Sequence, residues 1–333
     1  MANTFAAVVP VYNKEPYVAR AITSVLAQTR PVDEIIIVDD ASTDGSLERI
    51  KSFRDPRIRL LLRADPRQRC LPATRNLAIQ SARSNWIALL DADDRWHEDF
   101  IEEIEKLLTQ ATDRTGMLFT GWEDIWSGGV VTRDRYSESC DGRSFTQLDF
   151  DRFVSTWLRL DACPVMCSGV VLRRDMMFEA GLFQERCRRG EDKEMWLRLL
   201  SRADALASPR VCSSYYRAIP GQMQVSITTN ARHCVCATLE DMIARTSGKR
   251  RRLLMRLFNH QVFEYARWTV GQRERVSPEV YRGFFVSVNP HRYLVLLALS
   301  YLPIPVQQLF RQWLLRVQQL MGRARPGNQI QGS

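Results

Sequence analysis

Residues 34–45 read EIIIVDDASTDG: an apolar run, two adjacent aspartates and a turn-forming segment follow one another. An uninterrupted apolar run of this length is typical of a strand that is buried on both faces of a sheet. The Ser, Asp and Gly residues after it favour a turn. We therefore predict a strand over Glu34–Val38, a turn, and a short helix over Leu47–Phe53.

The same alternation of apolar runs and amphipathic stretches fills the first 125 residues. It predicts further strands over Phe5–Val11, Ile58–Leu62 and Trp86–Leu90, and helices over Pro16–Gln28 and Pro72–Ala82. Regular alternation of strands and helices predicts an α/β fold, in which helices cover both faces of a mostly parallel sheet. Such sheets bind their ligands at the carboxyl ends of the strands.

Three later segments differ from this pattern. Ser127–Asp151 is polar and without a clean period, and we interpret it as a connecting loop. Cys163–Arg217 predicts a strand over Ser168–Arg173, a helix from Glu191 to about Arg202 and a strand near Val211–Tyr216, and the chain after Ala231 is helical in pattern. The predicted organisation is one domain over residues 1–230, with halves 1–126 and 127–230, and a helical region over 231–333.

Charge is distributed unevenly along an otherwise ordinary composition. The chain is 45% hydrophobic and 26% charged, with a formal charge of +9, which is typical of a folded soluble protein. From Asp241 onward there are 15 Lys and Arg against 4 Asp and Glu, whereas the preceding residues carry 32 against 34. A basic partner surface is therefore predicted in the last third of the chain. No groove-reading motif accompanies this charge, so a nucleic-acid partner is not predicted.

Neither the cysteines nor the first residues indicate an extracellular or zinc-binding protein. The eight cysteines contain no C-x₂-C pair, the spacing of a zinc knuckle. The first residues lack the basic segment of a secretory signal, and the apolar run Phe5–Val11 is too short for one. We expect a cytoplasmic protein.

Two acidic pairs follow predicted strands. Capping of the next helix by Ser42 or Asp44 explains the turn after Asp39 and Asp40, but not the two adjacent carboxylates at the end of the strand. Asp91 and Asp93 lie two residues apart in an extended segment, so their side chains point the same way. Paired carboxylates suit Mg²⁺ or Mn²⁺ bound together with substrate phosphates. The alternative for Asp91–Asp94 is capping of a helix that begins near His97.

A third acidic pair, Glu191-Asp192, follows Gly190 at the predicted start of a helix. Acidic residues in a first turn are stabilised by the helix dipole, which is a sufficient account of Glu191. This pair by itself is therefore weak support for a functional site.

The motifs are more specific as a set. In order they are Val9-Pro10-Val11-Tyr12-Asn13, Val38-Asp39-Asp40-Ala41-Ser42-Thr43-Asp44-Gly45, Ala73-Thr74-Arg75-Asn76, Asp91-Ala92-Asp93, and Glu191-Asp192 with Trp196-Leu197-Arg198-Leu199. This series resembles the inverting glycosyltransferases of family 2, over roughly residues 5–225. The resemblance implies a GT-A fold, which is Rossmann-like. It makes residues 1–126 the nucleotide-sugar-binding half and residues 127–230 the acceptor half that contains the base.

The resemblance also implies roles for individual residues. The nucleotide-sugar donor would be bound by Pro10, Val11, Tyr12, Asn13, Asp39, Asp40, Arg75, Asp91 and Arg217. Asp93 would bind the divalent metal, Mn²⁺ or Mg²⁺, Asp192 would be the catalytic base, and Glu191 and Trp196 would have acceptor-binding or structural roles. The expected reaction moves a sugar, with inversion, from a nucleotide diphosphate to a hydroxyl of a glycan or lipid-linked acceptor. The expected pathway is synthesis of a surface polysaccharide or glycolipid.

Elementary chemistry agrees with that expectation. A divalent metal neutralises the charge that develops on a diphosphate leaving group. A carboxylate on the opposite face can take the proton of the attacking hydroxyl. A single displacement of this kind inverts the anomeric carbon.

The chain departs from the family pattern at two places. Ile219 stands where many relatives have a histidine, which leaves Arg217 as the cationic candidate there. Arg67–Pro72 replaces a glycine-containing loop, and its two arginines are candidate phosphate ligands, with a solvated loop as the alternative.

The C-terminal region has a pattern typical of membrane surfaces. Tyr293–Phe310 carries no charge but contains Pro303 and Pro305, so it does not predict a spanning helix. Val306–Met321 predicts a basic amphipathic helix, and with Lys249–Arg252 it indicates peripheral binding to anionic lipid on the inner face of the plasma membrane. The alternative is a helix that packs on the catalytic domain.

Other functions remain as alternatives. A metal-dependent sugar-phosphate nucleotidyltransferase would also use paired aspartates, but Val9–Pro16 lacks the glycine-rich basic loop that such an enzyme needs. A non-catalytic nucleotide-sugar-binding protein is disfavoured because Asp93 and Asp192 are both present. A dehydrogenase is disfavoured because no G-x-G-x-x-G follows the first strand.

Overall fold

The computed structural model describes residues 3–63, 65–126, 128–140, 145–187, 189–217, 234–271, 276, 281–307 and 309. The chain divides into two compact units, Met1–Ser226 and Ile227–Ser333. The predicted domain boundary at residue 230 lies within residues 218–233, outside the described part of the chain.

The first unit alternates strands and helices through most of its length. Its strands are β1 (Phe5–Val11), β2 (Glu34–Asp39), β3 (Ile58–Leu62), β4 (Trp86–Leu89), β5 (Arg95–Trp96), β6 (Thr115–Ile125), β7 (Val131–Arg133), β8 (Thr146–Leu148), β9 (Val170–Arg173) and β10 (Asp204–Tyr216). Its helices are α1 (Glu15–Leu26), α2 (Ser46–Lys51), α3 (Leu71–Ser81), α4 (Phe100–Leu108), α5 (Arg135–Glu138), α6 (Phe150–Leu160), α7 (Arg174–Glu179) and α8 (Glu191–Leu200). Short 3₁₀ turns occupy Pro66–Gln68 and Cys167–Gly169.

These strands form one mixed sheet in the order β3-β2-β1-β4-β9-β6-β10-β5, with β7 beside β6 and β8 beside β10. Strands β3, β2, β1 and β4 are parallel to one another, and so are β6 and β10. Strand β9 runs antiparallel to both β4 and β6. The predicted α/β fold with a helix-flanked sheet is confirmed, and the parallel pairing is concentrated in the first half of the unit.

The core lies between this sheet and the helices that cover it. Every residue of β1 is buried, as expected of a central strand with helices on both faces. Helix α1 packs through one apolar stripe, Val18, Ala21, Ile22 and Val25, at the spacing of an amphipathic helix. Apolar burial therefore fixes the body of the sheet, and polar side chains collect where the strands end.

The described residues of Ser127–Asp151, a segment interpreted from its sequence as a loop, contain more regular structure than expected. They include β7, α5, β8 and the start of α6. Asp134 accepts a hydrogen bond from Ser137 N (2.9 Å) and Asp149 accepts one from Arg152 N (2.8 Å), so side chains cap both helices. Elements of three or four residues are too short to show a period, which explains why the sequence pattern missed them.

The second unit is helical where it is described. Its helices are α9 (Cys234–Ala244), α10 (Gly248–Gly271) and α11 (Pro290–Tyr301), with a 3₁₀ turn at Val286–Val288. Asn259 on α10 holds the backbone of Phe285, with one hydrogen bond donated and one accepted, each 2.8 Å long. The predicted C-terminal helical region is confirmed. Within the described residues, every helix is too short or too polar to cross a membrane. Most of the predicted amphipathic helix Val306–Met321 lies outside those residues.

Candidate functional site

The carboxylate of Asp40, at the end of β2, is fully engaged by the protein. Its oxygens accept hydrogen bonds from Arg63 Nη1 (2.7 Å), Cys70 N (3.0 Å) and Thr74 Oγ1 (2.9 Å). Its own backbone N donates to Val11 O (2.8 Å). Asp40 therefore ties the segment between β3 and α3 to the end of the sheet.

The adjacent Asp39 is engaged on one side only. Its Oδ2 accepts a hydrogen bond from Ser42 N (3.1 Å), whereas its buried Oδ1 has no hydrogen-bond partner among the described residues. A buried carboxylate oxygen without a partner is costly unless a ligand donates to it. Asp39 thus has an acceptor atom available at the carboxyl end of β2.

The end of β1 lies beside it, because Val11 is the register partner of Asp39. Pro10 and Val11 are buried within the strand. Tyr12 is 39% exposed, and the guanidinium of Arg69 lies 4.5 Å from the centre of its ring and contacts its hydroxyl. Tyr12, the residue after the register partner of Asp39, thus offers an exposed aromatic ring that is suitable for stacking on a planar ligand.

Asn13 adopts a left-handed backbone with φ of 50°, a conformation that asparagine tolerates better than most residues. Its Oδ1 accepts a hydrogen bond from Thr43 N (2.8 Å), and its backbone N donates to Ser42 Oγ (3.0 Å). Asn13 thereby joins the loop after β1 to the loop after β2.

The next acidic cluster follows β4. Ser168 Oγ accepts a hydrogen bond from Asp91 N (3.1 Å) and donates to Asp94 Oδ2, while Tyr216 N donates to Asp94 Oδ1 (3.1 Å). Burial, followed by repulsion from Asp93 and Asp91, raises the pKa of Asp94 well above its usual range. Asp94 is therefore a buried cross-link between three segments of the first unit. The capping alternative for this residue is wrong, because α4 begins at Phe100 after Asp99.

Asp93 faces a cation contributed by the protein. Its Oδ2 lies 2.8 Å from the Nζ of Lys14, and both side chains are largely buried. Arg20 donates to the backbone oxygen of Asp93 at 2.5 Å and thereby fixes the turn. Lys14 immediately follows the Val9–Asn13 motif but was not predicted as a site residue, because its contact joins positions 79 residues apart.

The residues around Asp93 suit one mode of metal binding. Within the described chain, no group of three or more His, Cys, Asp or Glu side chains is arranged to hold a metal ion. Mg²⁺ and Mn²⁺ at phosphate sites commonly take one or two carboxylates and complete their coordination with water and substrate oxygens. Asp93, with Asp91 nearby, fits this mode.

Helix α8 carries the last acidic pair. Gly190 before it has φ of 76°, Glu191 is buried, and Asp192 is only partly buried. Burial, followed by repulsion from Asp192, raises the pKa of Glu191, while Arg75 acts in the opposite direction. The Oδ1 of Asp192 accepts a hydrogen bond from Lys193 N (2.7 Å). Asp192 is thus the more accessible of the two carboxylates.

Arg75, on α3, joins these two acidic clusters. It is 2% exposed, and it donates from Nη2 to Asp91 Oδ1 (2.7 Å) and from Nη1 to Glu191 Oε1 (3.0 Å). One guanidinium therefore brings the end of β4 next to the start of α8. This contact places Asp192 close to the predicted donor-binding carboxylates.

Two other predicted residues have structural contacts. Trp196 is fully buried, and its ring packs edge-to-face on Phe183 with centroids 6.1 Å apart. Arg217 donates from Nε to the buried Asp124 (2.8 Å) and stacks on Tyr215, with 4.0 Å from guanidinium to ring centre. Ile219, which replaces the family histidine, lies outside the described residues.

Comparison with known proteins agrees with this geometry. Residues 6–129 match the family described as Glycosyl transferase family 2, and residues 86–322 match Glycosyl transferase family group 2. The second match covers more than two thirds of the chain. The protein belongs to the family 2 glycosyltransferases, and the predicted family resemblance is confirmed.

Individual relatives are similar over parts of their length. An uncharacterized glycosyltransferase of Rickettsia felis is 31% identical over 198 residues, which are 59% of this chain and 30% of that protein. The putative teichuronic acid biosynthesis glycosyltransferase TuaG of Bacillus subtilis is 26% identical, over 64% of this chain and 78% of TuaG. The succinoglycan biosynthesis protein ExoO of Rhizobium meliloti is 41% identical over 28% of this chain and 26% of ExoO. The chain spans less than a third of the length of the Rickettsia relatives that it matches.

Among solved structures, residues 1–349 of S. aureus TarS in complex with UDP-GlcNAc share the fold of this chain. The TM-score is 0.67 at 14% identity, and the match covers 96% of this chain and 92% of that one. The predicted GT-A fold is confirmed.

Asp39 and Asp40, at the end of β2, differ in their contacts, so we expect their substitution to lower the free energy of unfolding by different amounts. Asp40→Ala leaves Arg63 and two other donors without their acceptor, so we expect the free energy of unfolding to fall by roughly 3 kcal/mol. Asp39→Ala removes a single backbone hydrogen bond and should cost roughly 1 kcal/mol. Urea unfolding of the two variants measures the difference. Equal losses would show that the Asp40 network does not stabilise the fold.

Proposed function

We propose that this chain transfers a sugar from a nucleotide-diphosphate donor to a hydroxyl of a glycan or lipid-linked acceptor, with inversion and with a divalent metal. The observation that carries the proposal is the Arg75 bridge, which brings Asp91 and the base-bearing helix α8 together in one site. A single displacement requires a group that binds the leaving diphosphate and a base for the attacking hydroxyl. Asp91 lies at one end of this bridge, and Asp192 adjoins the other end.

The first two strand ends would bind the nucleotide. The unpartnered Oδ1 of Asp39 can accept an N–H from a base such as uracil, and the exposed ring of Tyr12 can stack on it. TarS, which shares the fold, has been crystallised with UDP-GlcNAc and with UDP. We therefore propose a uridine diphosphate sugar as the donor class.

Asp192 would be the base. Glu191 is buried and hydrogen-bonded to Arg75, whereas Asp192 is only partly buried and could reach an acceptor hydroxyl. Asp192 takes the proton as the acceptor oxygen forms its bond to the anomeric carbon, and the bond from that carbon to the diphosphate breaks on the opposite face. A metal held by Asp93 would neutralise the charge on the departing diphosphate. The product has the inverted anomeric configuration.

The relatives indicate a pathway class. TuaG and ExoO are named for teichuronic acid and succinoglycan biosynthesis. We propose that this chain likewise acts in the synthesis of a polysaccharide or glycolipid, on the cytoplasmic side of the membrane.

A donor screen tests the proposed reaction. Nucleotide diphosphate release from UDP- and other nucleotide-sugars should require an acceptor glycan, and NMR of the product should show the inverted anomer. Asp192→Asn should bind UDP as the wild type does yet transfer at least ~100-fold more slowly, and Glu191→Gln should be milder. A retained anomer, or an Asp192→Asn variant at full rate, would remove Asp192 as base. Pyrophosphate release from a nucleoside triphosphate and a sugar phosphate would instead identify a nucleotidyltransferase.

The metal proposal has a separate test. Asp93→Asn should weaken Mn²⁺ binding in the presence of UDP, measured by electron paramagnetic resonance, at least ~10-fold, and chelation should abolish transfer by the wild type. The matched control is Asp175→Asn, since Asp175 is exposed and pairs only locally with Arg173. Full transfer in excess EDTA would contradict a metal-dependent reaction.

Peripheral membrane association is proposed from two features of the second unit. Lys249–Arg252 at the start of α10 are all exposed. On α11, Leu294, Ala298 and Tyr301 form an exposed stripe at helical spacing, with Leu294 65% and Tyr301 79% exposed. A basic cluster and an apolar stripe in one small helical unit are complementary to an anionic bilayer surface.

Charge reversal tests the membrane proposal. Arg250→Glu with Arg251→Glu should lower sedimentation with phosphatidylserine vesicles ~10-fold or more, and ~0.5 M salt should mimic this loss. The control is Arg54→Glu with Arg133→Glu, which changes the net charge equally at exposed positions of the first unit. Equal losses from both pairs would mean that net charge, and not this cluster, governs binding.

A further inference from the structure

Arg75 has an unusual environment for an arginine near a phosphate-binding site. Its side chain is 2% exposed, both Nη groups are bound to carboxylates, and its buried Nε has no hydrogen-bond partner among the described residues. Its guanidinium also lies 5.4 Å from the ring centre of Phe183. These contacts leave no exposed N–H on this side chain for a ligand.

We propose that Arg75 is a positioning residue, which fixes the distance between the donor-side carboxylate Asp91 and the helix that carries Asp192. This inference rests on the proposed transferase function. It differs from the role that the family resemblance implies, in which Arg75 binds the nucleotide itself.

The Asp91 end of the bridge is also anchored independently of Arg75. The backbone N of Asp91 donates to Ser168 Oγ (3.1 Å), which fixes the end of β4. Glu191 is the first residue of α8, so the hydrogen bond from Arg75 to its side chain fixes the position of the start of that helix. Because Asp192 is the next residue, the Arg75–Glu191 contact determines where the base stands relative to Asp91.

The neighbouring residue on α3 reinforces this contact. Asn76 Nδ2 donates to Phe183 O (2.8 Å), and Asn76 Oδ1 accepts a hydrogen bond from Phe183 N (3.0 Å). Phe183 belongs to the segment that leads into α8. Two consecutive residues of α3 therefore hold α8 and the segment before it, so α3 joins the predicted nucleotide-sugar-binding half to the acceptor half.

The chemistry of the side chain explains why arginine is needed. A planar guanidinium offers two separate Nη groups to two carboxylates, whereas a lysine ammonium is a single point of charge. Asp91, Glu191 and Asp192 are three acidic groups near one cation, so the loss of the bridge would also leave Asp91 and Glu191 to repel each other. A lysine ammonium at position 75 lacks the two separated, coplanar Nη groups that hold Asp91 and Glu191 in this geometry.

The proposal predicts a defect in turnover without a defect in donor binding. In the full-length protein, Arg75→Lys should lower kcat by roughly 10- to 100-fold, the factor that one charge-assisted hydrogen bond supplies. The Kd for UDP in the presence of Mn²⁺ should stay within about threefold of wild type. Arg57→Lys is the matched control, because Arg57 also pairs with a carboxylate, Asp55, but away from the site. Its kcat should be unchanged.

A double-mutant cycle shows whether Arg75 acts through Glu191. On the Glu191→Ala background, where the bridge is already broken, Arg75→Lys should cost less than about threefold further. An equal cost on both backgrounds, or a rise in the Kd for UDP that matches the fall in kcat, would overturn the proposal. So would a full kcat for Arg75→Lys. Wild-type protein without transfer from any donor would instead refute the proposed function.

If Arg75→Lys does not fold, two substitutions of Glu191 test whether the bridge affects turnover. Glu191→Gln keeps an oxygen that can accept from Arg75, and Glu191→Ala does not. The bridge predicts a kcat at least ~10-fold lower for Glu191→Ala than for Glu191→Gln, with similar Kd for UDP. Equal kcat values for these two variants would overturn the proposal.

Discussion

Parallel pairing of β2, β1 and β4 is the constraint on which the candidate site depends. Because Val11 pairs with Asp39 and Val8 with Leu89, the acidic segments that follow these strands emerge at one edge of the sheet. Apolar burial on both faces holds these three strands in the middle of the sheet. The acidic side chains of the candidate site are thus positioned by the apolar strands that precede them.

Adjacent acidic residues at this edge have different surroundings and therefore different roles. Asp40 is saturated by three protein donors, whereas Asp39 keeps one oxygen without a partner. Glu191 is bound by Arg75, whereas Asp192 remains accessible. In each pair, one carboxylate is held by protein donors, and, among the described residues, the other keeps an oxygen without a partner or a partly exposed side chain. This division explains why the motifs contain two acidic residues where one would serve the chemistry.

The sequence predicted the first four strands, and the motifs indicated the family, because apolar runs and short signatures are local features. It did not predict the contacts between distant positions. Asp94 was weighed as a helix cap, but its partners Ser168 and Tyr216 lie 74 and 122 residues away. Strands β7 and β8 were missed because three residues show no period, and they exist only by pairing with β6 and β10. The roles assigned to Asp192, Asp93 and the nucleotide ligands remain predictions.

The electrostatics of the site favour the proposed metal on physical grounds. Five carboxyl groups, those of Asp91, Asp93, Asp94, Glu191 and Asp192, cluster around the side chains of Lys14, Arg20 and Arg75. The raised pKa of Asp94 reflects burial and this crowding of like charges. A diphosphate would add further negative charge to a region that already holds an excess of it. We therefore expect donor binding to need more positive charge than these side chains supply, and the proposed divalent cation would provide it.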